Sequence, residues 1–302
     1  MDKIIVLLST YNGEKYLRKQ IDSILGQKDC LVELLVRDDG SSDDTIMILE
    51  EYKERNQLDW YTGVNLGAGK SFYDLILKAS ASIYYAFADQ DDIWDEDKLC
   101  TAVQSLKAYE SEPALYYSNA RITDQNGNLI GKNTYKVEQR INFEGFVCSG
   151  GALGCTIVFN SKLRDLTLNG GMPKKMIMHD DYLTALTLCM NGKVVYDHAP
   201  HMSYRQHDNN VVGIATSFSQ AFMIRYKTFM TPVSVSIAEQ AFDIMEHFNE
   251  LLPQKNKKFL MKVINYKNSL CSRAYLAFHL KTKYVSWKSS VYIRLGLLCG
   301  KR

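Results

Sequence analysis

The sequence predicts an α/β fold, a mostly parallel sheet with helices on both faces, followed by a helical C-terminal extension. Three observations predict it. Strand-length apolar runs alternate with helix-period segments over the first hundred residues. Polar clusters follow the first, second and fourth of those runs, at the strand ends where open α/β sheets bind ligands. From about Phe218 onward only helical periodicities occur, broken at Pro232, at Pro253 and near Lys281.

Residues 4–9 are a short apolar run and read as a strand. Residues 13–26 carry Tyr16, Leu17, Ile21, Ile24 and Leu25 at helical spacing. A second strand over 31–37 ends in the turn Asp39-Gly40-Ser41-Ser42, and Asp43 and Asp44 open a helix with Ile46, Ile48, Leu49 and Tyr52. A short strand over 60–62, a Gly-containing loop and a helix over 70–79 lead to a strand over 83–88, which ends in Asp89-Gln90-Asp91-Asp92. A helix over 97–109 and a strand over 114–118 follow, and Asp124-Gln125-Asn126-Gly127-Asn128 is a tight hairpin turn. Gly150-Gly151-Ala152-Leu153-Gly154 precedes a strand over 155–160, His179-Asp180-Asp181-Tyr182 opens a helix through Met190, and 193–197 is a strand.

With 302 residues, 46% of them hydrophobic, the chain can bury a sizeable core, as one large domain with an appendage or as two modest domains. The net charge of +2 conceals an asymmetry: residues 251–302 hold Lys and Arg but no Asp or Glu. The rest of the chain is acidic, which argues against a nucleic-acid partner. Seven scattered cysteines without a C-x-x-C read as reduced core thiols of a cytoplasmic protein. The apolar run at the N-terminus is too short for a signal peptide, and no stretch reaches the roughly 18 apolar residues that span a bilayer.

The three carboxylates Asp89, Asp91 and Asp92 concentrate charge at a strand end, and a hard divalent cation prefers such oxygen ligands. An acidic turn capping the next helix is the competing reading. The convergence of Ser9-Thr10-Tyr11-Asn12, Asp38-Asp39-Gly40-Ser41 and Asp89-Gln90-Asp91 on one sheet edge favours a site.

These segments, with Asn65-Leu66-Gly67, Gly150-Gly151, His179-Asp180 and Tyr204-Arg205-Gln206-His207-Asp208-Asn209-Asn210, occur in an order that resembles family 2 glycosyltransferases with the GT-A fold. Asp-Gln-Asp-Asp-Ile-Trp and Tyr-Arg-Gln-His are most similar to the bacterial rhamnosyltransferase branch. The resemblance covers roughly residues 3–213. It implies a Rossmann-like, mixed, mostly parallel GT-A sheet in a catalytic domain over 1–213, with a nucleotide-sugar half to about 95 and an acceptor half over 96–213. Residues 214–302 are then the basic helical region.

The resemblance also implies a nucleotide-diphosphate sugar donor, dTDP- or UDP-linked, a Mn²⁺ or Mg²⁺ ion and inversion at the anomeric carbon. Asp91 and His207 correspond to metal ligands, and Asp89 to a ligand of the metal or of the donor ribose. Asp39 corresponds to the acceptor of the base's imide N–H, and Thr10 and Tyr11 to the walls of the base pocket. Asn65 and Lys70 fall where the family's loop approaches the donor; a plain turn also accounts for them. Asp180 matches the catalytic base, at a helix N-terminus that favours its charged form. Asp181 stands where the branch commonly has an aromatic residue, which leaves Asp180 and Asp181 as alternatives. Trp94, Gly150 and Gly151 are expected on the acceptor side, with a core contact as the other reading of Trp94.

The preferred activity is transfer of L-rhamnose from a dTDP donor to a saccharide or lipid-linked saccharide acceptor in surface polysaccharide synthesis. A UDP-hexose transferase is the alternative within the class, and a non-catalytic nucleotide-sugar-binding partner the alternative outside it. A P-loop at Gly67-Ala68-Gly69-Lys70-Ser71 is a poor match because Val64 stands where the motif needs its first glycine. The basic, aromatic C-terminal region is expected to lie on the inner face of the cell membrane. Packing on the catalytic domain or a homodimer contact are its other readings.

Overall fold

The structure is a computed structural model and describes residues 1–207, 234–279 and 287–301. Strand β1 (Asp2–Thr10) lies between β2 (Cys30–Asp38) and β4 (Tyr84–Asp89), both parallel to it, and β3 (Asp59–Thr62) is parallel to β2. Beyond β4 the pairing changes. β8 (Val158–Asn160) is antiparallel to β4 and to β6 (Ala114–Thr123), and β9 (Lys193–Arg205) is parallel to β6. The order is β3-β2-β1-β4-β8-β6-β9-β5, with β5 (Ile93–Trp94) at the edge and β7 (Leu129–Asn133) paired to β6. Parallel pairing thus holds strictly in the first half and is mixed in the second.

The alternation of a strand sends successive side chains to opposite faces. In β1, Ile5 and Leu7 join one core while Ile4, Val6 and Leu8 join the other; in β4, Tyr85 and Phe87 divide likewise from Tyr84, Ala86 and Ala88. Both faces must therefore be covered. Helices α1 (Leu17–Leu25), α2 (Thr45–Glu54) and α4 (Lys98–Leu106) cover one through Ile21, Leu49 and Leu99. Helices α3 (Ala68–Lys78) and α7 (His179–Cys189) cover the other through Phe72, Ile76, Leu183 and Leu186. Two short helices, α5 (Phe143–Ser149) and α6 (Ser161–Gly170), carry too few periodic residues to stand out in the sequence; Asn142 and Asn160 cap them by accepting the N–H of Gly145 and Leu163.

The C-terminal helices α8 (Ile237–Phe248), α9 (Gln254–Asn265), α10 (Leu270–Phe278) and α11 (Trp287–Leu298) bury Ile244, Phe248, Leu260, Val263, Leu276 and Leu297 in the same core as Ile5 and Leu7. Each such side chain contributes about 1.5–3 kcal/mol on burial, so this region is held firmly to the sheet. No helix among the described residues is long and apolar enough to cross a membrane. The expected boundary near 213, the breaks at Pro232 and near Lys281, and Asp208, Asn209 and Asn210 lie outside the described residues. The cysteines divide: Cys148, Cys155 and Cys189 are buried as expected, whereas Cys271 and Cys299 are exposed.

Candidate active site

A cavity of about 350 Å³ opens at the carboxyl ends of β1, β2 and β4. Thr10, Tyr11 and Asp39 line it from β1 and β2, Asn65 from the loop after β3, and Asp89 and Asp91 from the end of β4. Asp180 reaches it from the N-terminus of α7, and Tyr204 and His207 from the end of β9. Most of the expected residues therefore meet at one place. Lys70 and Trp94 do not line the cavity: Lys70 is exposed on α3, and Trp94 is buried with the Lys98 ammonium 3.6 Å from its ring centre.

Gln90 joins the first and fourth strand ends. Its Oε1 accepts the Thr10 hydroxyl at 2.6 Å and the Tyr11 N–H at 2.8 Å, while its Nε2 donates to the Tyr11 carbonyl at 3.1 Å. The Tyr11 ring is left about half exposed at the mouth. Asp39 is buried and held by three donors: the Arg37 guanidinium and the Leu66 N–H on Oδ1, and the Gly67 N–H on Oδ2 at 2.9 Å. Oδ2 has room for one further donor. Arg37 is itself buried; burial opposes its charge, and the carboxylates of Asp39 and Asp74 outweigh that and hold the charge on.

Asp91 Oδ2 is 2.5 Å from His207 Nε2, and the imidazole stacks on Tyr16 with ring centres 5.1 Å apart. This contact spans 116 residues of sequence. It forms because the edge strand β5, just past Asp91, pairs with β9 through Ile93–Ser203 and Trp94–Met202. The strand expected over 193–197 continues to Arg205 through register shifts about Asn119, which absorb Pro200. Arg205 then ties the two segments, donating from Nε to the Asp91 carbonyl at 2.7 Å and from its backbone N–H to Asp92 Oδ1 at 3.1 Å.

The carboxylates have separate environments. Burial, then the charges of Asp91 and Asp180, push the Asp89 carboxyl far up. Asp92 is fully buried away from the cavity, and burial followed by Asp91 and Asp89 pushes it well above the usual carboxylate range. Asp89, Asp92 and Cys155 offer ligand atoms within 4.8 Å of one another. Cys155 is buried, however, and burial raises its thiol well above the ordinary value; the cavity itself is lined by Asp89, Asp91, Asp180 and His207, whose oxygen and nitrogen donors suit a divalent cation.

Asp180 and Asp181 diverge at the start of α7. Asp180 lines the cavity and accepts the Asp181 N–H at 2.8 Å; Asp181 Oδ1 accepts the Gly151 N–H at 3.2 Å, outside the cavity. Gly150 packs so closely on Asp181 that a Cβ would sit 1.9 Å from Oδ1. The glycine pair thus meets the second carboxylate and not the cavity itself. Contrary to the expected effect of the helix N-terminus, burial dominates at Asp180 and pushes its carboxyl up to about 6, against hydrogen bonds from backbone N–H groups that lower it. Its neighbour His179 lies between Phe72, stacked at 4.1 Å, and Phe87, edge-on at 4.8 Å; burial lowers its imidazole to about 3, so it is a neutral wall.

No sequence pattern signals what holds this segment. Asp243 on α8 is buried and accepts the N–H groups of Lys174 and Lys175, both at 2.8 Å, and the Tyr182 hydroxyl at 3.0 Å. Gln240 Oε1 accepts the Ile177 N–H at 2.9 Å. The C-terminal region therefore fixes the loop that delivers Asp180.

Residues 5–166 match the family described as Glycosyl transferase family 2. The chain belongs to that family. It is 30% identical over 262 residues to the dTDP-rhamnosyl transferase RfbG of Shigella flexneri, which covers 78% of this chain and 86% of that protein. It is 26% identical over 191 residues, 63% of this chain and 71% of the relative, to the UDP-Glc:alpha-D-GlcNAc-diphosphoundecaprenol beta-1,3-glucosyltransferase WfgD of Escherichia coli. The crystal structure of S. aureus TarS 1–349 in complex with UDP-GlcNAc superposes with a TM-score of 0.55 at 15% identity, over 99% of this chain and 92% of that one. The fold is GT-A and the protein is a glycosyltransferase.

Proposed function

We propose that this glycosyltransferase is metal-dependent and inverting, and transfers L-rhamnose from a dTDP donor to a saccharide or lipid-linked saccharide acceptor of a surface polysaccharide. The observation that carries the reading is the meeting of Asp91, His207, Asp89 and Asp180 at one cavity from three separate elements. Asp91 and His207, with Asp89 on the cation or on the donor ribose, would hold Mn²⁺ or Mg²⁺, which supplies charge neutralisation for the departing diphosphate. Asp39 receives the imide N–H of thymine or uracil on Oδ2, with Thr10, Tyr11 and Asn65 around the nucleotide. Asp180 takes the proton of the acceptor hydroxyl, and its raised carboxyl makes it a stronger base than a solvated aspartate. Asp181, Gly150 and Gly151 set the position of Asp180 beside the acceptor.

Residues 1–213 form the catalytic unit in this reading, and the basic helices beyond it rest against the inner face of the membrane. The relatives named for UDP-linked glucose and crystallised with UDP-GlcNAc support a UDP-hexose donor as the second reading. The test is nucleotide diphosphate release from dTDP-rhamnose, UDP-glucose and UDP-GlcNAc with Mn²⁺. Release from dTDP-rhamnose that chelator and Asp91→Ala abolish supports the reading. Turnover undiminished with chelator, or none with any of the three donors, overturns it.

A further inference from the structure

A second cavity, of about 340 Å³, lies between α5 and the C-terminal helices, apart from the donor site. Lys255, Lys258 and Lys262 line it from α9. Among the described residues none of these three ammonium groups forms an ion pair, and their segment of the chain contains no carboxylate from 251 onward. Glu144 is the acidic residue of its lining. The other wall is aromatic: Phe143 and Phe259 lie with ring centres 5.2 Å apart, and the Lys262 ammonium stands 4.2 Å from the centre of Tyr275. A cavity of this size holds a small ligand and not a two-chain phospholipid. Three clustered cations beside apolar rings match a ligand with an anionic head and a single apolar chain.

The position adds to this. Phe143 and Glu144 open α5, whose far end is the Gly150-Gly151 loop packed on Asp181. Seven helical residues span about 10 Å, so the cavity lies about that far from the loop beside the catalytic carboxylates.

We propose that this cavity binds a phosphate or diphosphate group carried on a single apolar chain, anchoring the lipid end of the acceptor while its sugar reaches Asp180. The role as acceptor anchor rests on the lipid-linked acceptor of the proposed function; the binding itself does not. The charges act together, so neutralising all three removes several charge-assisted contacts at once.

The experiment measures binding of farnesyl diphosphate to the full chain by titration calorimetry in the presence of chelator. Farnesol is the tail-only control and inorganic pyrophosphate the head-only control. Expected is affinity about tenfold or more above either control, lost about tenfold in the Lys255→Gln/Lys258→Gln/Lys262→Gln variant and kept in Asp91→Ala. Donor hydrolysis to water by the triple variant stays at the wild-type rate, which reports folding and the donor site separately. Undiminished binding by the triple variant overturns the proposal, as does displacement of farnesyl diphosphate by dTDP. So does lysine-dependent binding to vesicles of phosphatidylglycerol and phosphatidylcholine without any to farnesyl diphosphate, which makes the lysines a bilayer contact.

Discussion

Replacing Asp180 by Asn separates the stability of the fold from its chemistry. Burial raises the Asp180 carboxyl from an ordinary 3.8 to about 6. A carboxyl raised in the folded state keeps its full contribution below the unfolded value and loses stability as pH rises through the folded one. At 1.36 kcal/mol per unit, the loss between 3.8 and 6 is about 3 kcal/mol above pH 6. Asn carries no charge to desolvate and escapes that loss. It keeps an oxygen for the Asp181 N–H, but turns an amide toward the Gly154 N–H that the carboxylate accepts, at a cost of about 1 kcal/mol.

The net expectation is a variant more stable by about 2 kcal/mol at pH 8, or about 4 °C in Tm for a chain of this size. At pH 5 the carboxyl has incurred only about half of the charge penalty, so the gap narrows. Transfer meanwhile falls by about 10²–10⁴-fold, the usual worth of a general base. Thermal unfolding in chelator at pH 8 and pH 5 gives the first quantity, and nucleotide release with saturating metal the second. A variant no more stable than wild type at pH 8, or a gap of the same size at pH 5, refutes burial as the cause of the shift. Full turnover refutes the role as base.

Three other substitutions probe the supports. Asp243→Ala removes the acceptor of two part-buried N–H groups and of the buried Tyr182 hydroxyl, and is expected to cost about 1–3 kcal/mol in urea unfolding and to reduce kcat; a loss confined to stability shows that the loop before Asp180 needs no such clamp. Gly150→Ala forces a Cβ onto Asp181 at φ +64, costing about 1–2 kcal/mol from backbone strain alone, read as a lower Tm and slower transfer; wild-type Tm and rate mean the loop relaxes freely. His207→Ala is expected to raise the Mn²⁺ concentration for half-maximal nucleotide release about 10–100-fold, and an unchanged metal titration removes His207 from the ligand set.

The first half of the fold was legible because its code is local. Alternating apolar residues in β1 and β4 demand cover on both faces; the helical spacing of Leu17, Ile21 and Ile24 supplies it for one face within one crossover, and Phe72 and Ile76 of α3 begin it for the other. The strand ends with Thr10, Asp39 and Asp89 needed only parallel order to converge. The later elements are less local. Pro200 and His198 break the apolar pattern of β9, and its continuation to Arg205 depends on register shifts against β6 that no residue of β9 announces. His207 was placed by resemblance, and its contact with Asp91 depends on a two-residue edge strand, β5, too short to carry periodicity.

The same contrast applies to Asp180 and Asp181. Adjacent aspartates at a helix start are equivalent to a pattern reader, since either can cap and either can act as base. What separates them is contact: Gly150 and Gly151 approach from 30 residues away and take Asp181, while Met178, Asp180 and Gly154 are left around the cavity. Burial then reverses the effect expected of the helix N-terminus, because a dipole acting over one turn does not compensate for desolvation of the whole carboxylate. The clamp by Asp243 extends this logic to the C-terminal helices. Their Lys255, Lys258 and Lys262 are exposed, yet the buried Asp243 holds the Lys174–Lys175 backbone and thereby the approach to α7.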